Sequence, residues 1–346
     1  MKKDYFVERK IKTLIKLDEF VKELPLFCKV FFLGIEATTS PLTRMNYAMD
    51  LTIFFDFISN KYDIKVSNME ISILDQLTQI DIEQFLSFIT SFEYKGEHHL
   101  CGERAKARKL SAIRSMYKYF FNHDMIIANT AAKVNTPKIH EKEIIRLENN
   151  EISELIKTVE SGNGLTKKQY SYQQNTKIRD VALITLFLGT GIRISELVGL
   201  NINDIFFDNN SFVITRKGGN RTILYFTDEV KNALEDWIIY RNSIEDLPKD
   251  EQALFVSLKN RRISVRAVEN LVKKYAKIVT PLKKITPHKL RSTFGTKLYR
   301  ETGDIYIVAD YLGHKDINTT KKHYAAVSDD MRKSAIKTIS LKDTDD

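Results

Sequence analysis

The 346-residue sequence has no long apolar run. Its longest uncharged apolar stretch, Val181 to Ile192, is interrupted by Gly189 and Gly191 and falls well short of the ~20 residues needed to span a bilayer. It reads instead as a buried helix. The opening segment MKKDYFVERKIKTLIKLDEF is broken repeatedly by charge, which excludes the apolar core of a signal peptide. Only two cysteines occur, Cys28 and Cys101, far apart and without metal-ligand spacing. A structural disulfide is therefore not expected, and the thiols read as reduced groups of a cytoplasmic protein. Internal repeats and low-complexity tracts are also lacking.

Positive charge is in excess. A formal net charge of +9 and a pI near 9.2 favour a polyanionic partner, nucleic acid or an acidic membrane surface, without choosing between them. The length suffices for two domains with separate cores. From Leu42 to Asn60, apolar residues at Ala48, Leu51, Phe55 and Ile58 make one helical stripe, with Ser40 and Pro41 placed to cap it and form its first turn. A second helix, from about Arg104 to Phe121, carries Leu110, Ile113, Tyr117 and Phe120 on one side. Its other surface carries Arg104, Lys106, Arg108, Lys109, Arg114 and Lys118. The segment IDIEQFLSFITSF between them reads as a further amphipathic helix.

This pattern predicts a helical domain over residues 1–136, setting in near residue 10. A polar linker opening on Pro137 covers residues 137–147, and a mixed domain covers 148–346. In the mixed domain, helices are expected at Asn150 to Val159, Ile178 to Leu188 and Arg193 to Val198. Strands are expected at Asp204 to Phe207, Ser211 to Arg216 and Arg221 to Phe226, the last two joined by a tight turn. Beyond Asp228 the chain reads as helical to near its end, and Ser161 to Thr176 reads as a polar loop. The expected fold is mainly α with a small antiparallel β-sheet.

Six residues of the second half suit one chemistry. Attack on a phosphodiester without metal or nucleotide requires neutralised non-bridging oxygens, a deprotonated nucleophile and a proton for the departing sugar oxygen. Arg193 and Arg291 offer planar, permanently charged forks for the phosphate. Tyr324 offers a phenol whose phosphoester keeps the bond energy for rejoining. Lys217, at the hairpin tip, is the candidate general acid, a role worth about 10²- to 10⁴-fold; Arg216 and Arg221 are alternatives at the tip. His288 lies at i and i+3 with Arg291, on one helix face, and is assigned to proton transfer from the tyrosine. His314 follows Gly313, whose missing side chain permits close approach to a ligand, and is assigned to a phosphate oxygen. Each of these residues alone is ordinary; their order and spacing carry the weight.

The segments GTGIRISEL (189–197), RKGG (216–219), TPHKLR (286–291) and LGH (312–314) followed by Tyr324 resemble the tyrosine recombinases of the phage-integrase and Xer family. The match extends over roughly residues 145 to 330 and more loosely over the N-terminal half. In length and in its TRKGG segment, the chain is similar to the single-recombinase Xer proteins of Gram-positive bacteria.

The resemblance implies a C-shaped clamp on double-stranded DNA, with a helical core-binding domain and an α+β catalytic domain. It implies cleavage through a 3′-phosphotyrosine without cofactor or metal. It also implies paired half-sites bound by a homotetramer whose C-terminal helices, about 328–340 here and capped by Ser328, insert into neighbouring protomers. Groove-binding helices would fall on Thr43 to Phe57, with Thr43 and Arg44 at the start, and on Arg104 to Phe121. Arg216 and Arg221 would add DNA contacts from the hairpin, Glu196 would support Arg193, and localisation would be cytoplasmic, on the nucleoid.

The chain departs from the family in four places. Ser292 stands where many relatives have His, the turn reads KGGNR where GKGxKxR is commoner, and extra residues occur near Glu93 to Gly102 and Ser161 to Thr176. A type IB topoisomerase and a non-catalytic DNA-binding protein of this fold are the alternatives.

Overall fold

The computed structural model describes residues 5–139, 145–216, 219–314 and 316–317. The chain falls into two compact units, Met1–Lys142 and Glu143–Asp346. Lys217, Tyr324 and the expected helix 328–340 lie outside the described residues.

In the first unit, helices α1 (Tyr5–Lys22), α2 (Cys28–Gly34), α3 (Pro41–Tyr62), α4 (Ile73–Gln76) and α5 (Gln79–Phe88) lead to a hairpin, β1 (Ser91–Tyr94) and β2 (Glu97–Leu100). The long helix α6 (Glu103–Asn122) follows. Ser40 caps α3 by accepting the Thr43 N–H at 3.2 Å, with Pro41 in the first turn. The two sequence stripes form the core: Ala48, Leu51, Phe55 and Ile58 from α3 and Leu110, Ile113, Tyr117 and Phe120 from α6 are fully buried. Burying each of the larger of these side chains stabilises the fold by about 1.5–3 kcal/mol. α5 opens on a capping box in which Thr78 and Asp81 exchange hydrogen bonds.

The β1–β2 hairpin occupies the extra residues near Glu93 to Gly102. Its turn residues Lys95 and Gly96 both have positive φ, 50° and 79°, the backbone that a two-residue turn between twisted strands requires. The strands SFEY and EHHL lack the β-branched alternation that marks a strand in sequence, so local pattern does not predict them.

In the second unit, α7 (Asn149–Ser161), α8 (Lys167–Gln174), α9 (Lys177–Thr190) and α10 (Ile194–Gly199) precede an antiparallel sheet of order β3-β4-β5. Its strands are β3 (Ile205–Phe206), β4 (Ser211–Thr215) and β5 (Arg221–Tyr225). Then come α11 (Asp228–Asn242), α12 (Val265–Val279), α13 (Pro287–Thr302) and α14 (Ile305–Leu312). α9 is central, with α7, α11 and α13 packed on it. Its residues Ala182, Leu183, Ile184, Leu186 and Phe187 are all fully buried, as expected of a helix that is apolar on every side. The register Thr215↔Arg221 leaves Arg216, Gly219 and Asn220 at the hairpin end.

Two expectations are corrected here. The polar stretch from Ser161 to Thr176 is not all loop. It contains α8, started by a Thr166–Gln169 capping box and anchored by the buried Gln173, whose Nε2 donates to the Val159 carbonyl at 2.9 Å. Nor is the chain continuously helical after Asp228. Between α11 and α12 it runs in irregular, partly extended form, with bridges Asn201↔Ala253 and Val256↔Arg262. Trp237 Nε1 and Arg241 Nε hold the carbonyls of Leu254 and Ala253 at 2.8 and 2.9 Å.

Candidate active site

Two glycine turns build the site. α9 ends at Gly191, left-handed at φ 59°, whose N–H returns to the Phe187 carbonyl at 2.9 Å. A side chain there would run into Phe294 of α13. α14 ends in the same way at Gly313 (φ 61°), with the His314 N–H reaching the Ala309 carbonyl at 2.9 Å. The first turn delivers Arg193 and the second delivers His314.

Arg193 begins α10. Glu196, buried on that helix, accepts the Arg193 backbone N–H at 3.0 Å with one oxygen and its Nη1 at 2.8 Å with the other. Glu196 therefore both caps the helix and aims the guanidinium. Arg193 Nη2 donates to the Gly313 carbonyl at 2.9 Å. Arg291, on α13 and only 5% exposed, spans the two glycine turns: Nη1 donates to the Gly191 carbonyl at 2.6 Å and Nη2 to the Leu312 carbonyl. Arg216, just beyond β4, donates from Nη2 to the Tyr311 carbonyl at 2.8 Å. Three successive carbonyls at the end of α14 are thus each gripped by a different arginine. A helix C-terminus carries partial negative charge, which favours this gathering of cations.

His288 lies one turn before Arg291 on α13. Desolvation by the surrounding protein, together with the positive charges of Lys289, Arg291 and Arg193, holds its pKa below the usual imidazole value. It is accordingly neutral near pH 7 and able to accept a proton. Among the described residues, Glu196 pairs with Arg193 and Asp310 lies close enough to act on Arg216, two carboxylates against three arginines, so this cluster keeps a surplus of positive charge and suits an anion such as a phosphodiester.

The structure brings Arg193, Glu196, His288, Arg291 and His314 to one region of the second unit. The assigned acid Lys217 and nucleophile Tyr324 lie outside the described residues.

The expected DNA contacts divide. Lys109 is turned inward, 4% exposed, with Nζ 2.9 Å from the buried Asp50; it lies on the apolar side of α6 and ties that helix to α3, so it is not a groove contact. Arg44 is likewise buried against Glu36 at 2.8 Å. Arg114 holds the chain after α6 through the carbonyls of Ala131 and Val134 and the Thr136 hydroxyl. Thr43 shares a 2.9 Å hydrogen bond with Ser40 at the start of α3. Lys106 pairs with Glu103 at 3.2 Å. Arg104, Arg108 and Lys118 remain exposed on α6, Arg108 while also reaching Asp50 at 2.5 Å. On the hairpin, Arg221 is exposed, with Asp204 at 3.6 Å.

Arg216 is also corrected: its guanidinium folds back onto α14 rather than projecting from the hairpin tip. Gly313 was read as leaving room for a ligand, but the place of its missing side chain is taken by Arg216 Nη1. Tyr311, not singled out in the sequence, ties α14 to β5 by donating to the Tyr225 carbonyl at 2.6 Å.

Residues 145–331 match the phage integrase family. A tyrosine recombinase XerC from Caldanaerobacter subterraneus subsp. tengcongensis is 31% identical over 86% of this chain and 81% of its own. A tyrosine recombinase XerS from Streptococcus mutans is 28% identical over 94% of this chain and 98% of its own. Among solved structures, the XerH site-specific recombinase bound to a palindromic difH substrate in a post-cleavage complex superposes with a TM-score of 0.64. It is 19% identical over 86% of this chain and 80% of that one, a likeness of fold. On the family match and the extent of these relatives, the chain belongs to the phage integrase family and is a tyrosine recombinase.

Proposed function

We propose that the chain is a site-specific DNA recombinase of the Xer type, acting on paired half-sites in double-stranded DNA. The observation that carries this reading is the convergence of Arg193, Arg291 and His314 at the end of α14, with a neutral His288 beside them.

Arg193 and Arg291 hold the non-bridging oxygens, and His314 donates to one of them. The Tyr324 oxygen attacks phosphorus while its proton passes to His288. The bond from phosphorus to the 5′ oxygen breaks as Lys217 supplies that oxygen with a proton, leaving a 3′-phosphotyrosine. A 5′ hydroxyl from the partner duplex then attacks the phosphotyrosine, restores Tyr324 and produces a Holliday junction. These steps conserve bond energy, so the chemistry needs no nucleotide or metal.

Residues 1–136 would form the core-binding domain, 137–147 the linker and 148–346 the catalytic domain. The two domains would close on the duplex as a C-shaped clamp. Arg104, Arg108, Lys118 and Arg221 would contact the DNA. Four protomers would be linked by exchange of helices at about 328–340. Near-complete coverage by a relative named XerS supports a role in resolving chromosome dimers ahead of integrating a mobile element, and the recombinase names of the relatives favour strand exchange over the topoisomerase alternative.

A nicked suicide duplex carrying the target site tests the reading. The wild type is expected to accumulate a covalent protein–DNA adduct and Tyr324→Phe to form none. An adduct that survives the substitution would remove Tyr324 as nucleophile, and binding without any adduct would favour a non-catalytic DNA-binding protein.

A further inference from the structure

Arg216 precedes the assigned acid Lys217 and is bonded on both sides of the hairpin that carries it. Its backbone N–H donates to the Asn220 carbonyl at 2.8 Å, and its carbonyl accepts from the Gly219 N–H at 3.0 Å, which closes the turn. Its Nε donates across to the Thr222 hydroxyl of β5 at 3.2 Å, and its Nη2 leaves the hairpin for the Tyr311 carbonyl of α14 at 2.8 Å. Nη1 fills the space beside Gly313 and is buried with no hydrogen-bond partner among the described residues. A buried N–H group left unsatisfied is costly, so local hydrogen bonding alone does not account for the placement of Nη1. The end of α14, by contrast, is already secured by Arg193 at Gly313 and by Arg291 at Leu312. Loss of the Arg216 side chain would therefore release the hairpin more than the helix.

We infer that Arg216 is a positioning residue for strand cleavage, holding the Lys217 hairpin against the α14–His314 turn so that the acid meets the leaving 5′ oxygen. Gly313 is part of this device, because a side chain at 313 would expel the guanidinium. The inference rests on the reading of Lys217 as general acid.

The test compares two suicide duplexes, one with the ordinary 5′ oxygen at the scissile phosphate and one with sulfur in its place. Sulfur departs unaided as a thiolate, since thiols ionise with a pKa of about 8.5, whereas the 5′ oxygen needs a proton. Arg216→Met should cleave the ordinary duplex about 10- to 100-fold more slowly than wild type, a part of the 10²- to 10⁴-fold that a placed acid contributes. On the sulfur duplex it should return to within about threefold of wild type. Arg216→Lys, which keeps one donor for the Tyr311 carbonyl, should fall between.

Equal slowing on both duplexes would overturn the inference, because a damaged phosphate site is not rescued by a better leaving group. Undiminished cleavage of the ordinary duplex would overturn it as well. Thr222→Val removes only the cross-hairpin acceptor and should show a smaller loss with the same rescue, so the test stands even if Arg216→Met does not fold. Lys217→Ala, run in parallel, separates the two readings: if it is not slowed and rescued in this way, the assignment of Lys217 fails and the inference falls with it. If Lys217→Ala is rescued and Arg216→Met is not, only the inference fails.

Discussion

Arginine, histidine and glutamate act here through partners that fix their geometry and charge. Arg291 is almost wholly enclosed, and a buried guanidinium is tolerated because backbone carbonyls satisfy its fork. Glu196 spends one oxygen on the cap of α10 and the other on Arg193, so replacing it would loosen both the helix start and the Arg193 guanidinium. For His288, desolvation first and then the neighbouring cations lower the pKa from its ordinary 6.5. The imidazole is therefore less protonated at any given pH than an ordinary histidine. If His288 accepts the tyrosine proton, adduct formation at sub-saturating DNA, which reports the free protein, should decline only as pH drops through a value below 6.5, and His288→Asn should remove that decline along with most of the rate. A decline centred above 6.5 would contradict the assignment. The same lowered pKa means that the folded chain binds fewer protons than the unfolded chain just below pH 6.5, so this group makes stability fall as pH falls through that window.

At the scale of elements, α6 shows how a helix divides its charges. Arg104, Arg108 and Lys118 are exposed, whereas Lys109 shares the inward side with Ile113, Met116 and Phe120. Lys109 meets Asp50, a carboxylate whose pKa is raised by burial despite the opposing charges of Lys109 and Arg108. Lys109→Met would leave Asp50 with Arg108 alone. It should destabilise the first unit by about 3 kcal/mol, the low end for breaking a buried pair, because one cation remains. Lys118→Ala should shift unfolding by no more than about 0.5 kcal/mol while weakening duplex binding and reducing its salt slope by about 1. Denaturant unfolding and salt-titrated binding of both variants check the division. A DNA defect without a stability defect in Lys109→Met would reverse it.

For the whole molecule, two compact units and an excess of positive charge fit a protein that meets DNA over a large surface. No helix among the described residues is long and apolar enough to cross a membrane. If the segment after Val327 exchanges between protomers, ending the chain there should leave binding to a single half-site intact and abolish synapsis of two sites. Native gel shifts with one and with paired half-sites measure both. Complete recombination by the shortened chain would remove the exchange proposal.

The sequence by itself determined what depends on neighbours a few residues apart. The apolar stripes of α3 and α6, the Ser40–Pro41 start of α3, the strands β4 and β5 and the interruption at Gly189 and Gly191 are written in local spacing and backbone preference. The family motifs added which residue types belong to the chemistry. Tertiary structure alone decided where the side chains of the basic residues go. Arg193 meets Gly313 across 120 positions, Arg291 meets Gly191 across 100 and Arg216 meets Tyr311 across 95. No local period encodes such pairings. Lys109 and Arg216 therefore read as DNA-facing charges in the sequence, and only the folded chain turns the first inward to Asp50 and the second back to the Tyr311 carbonyl.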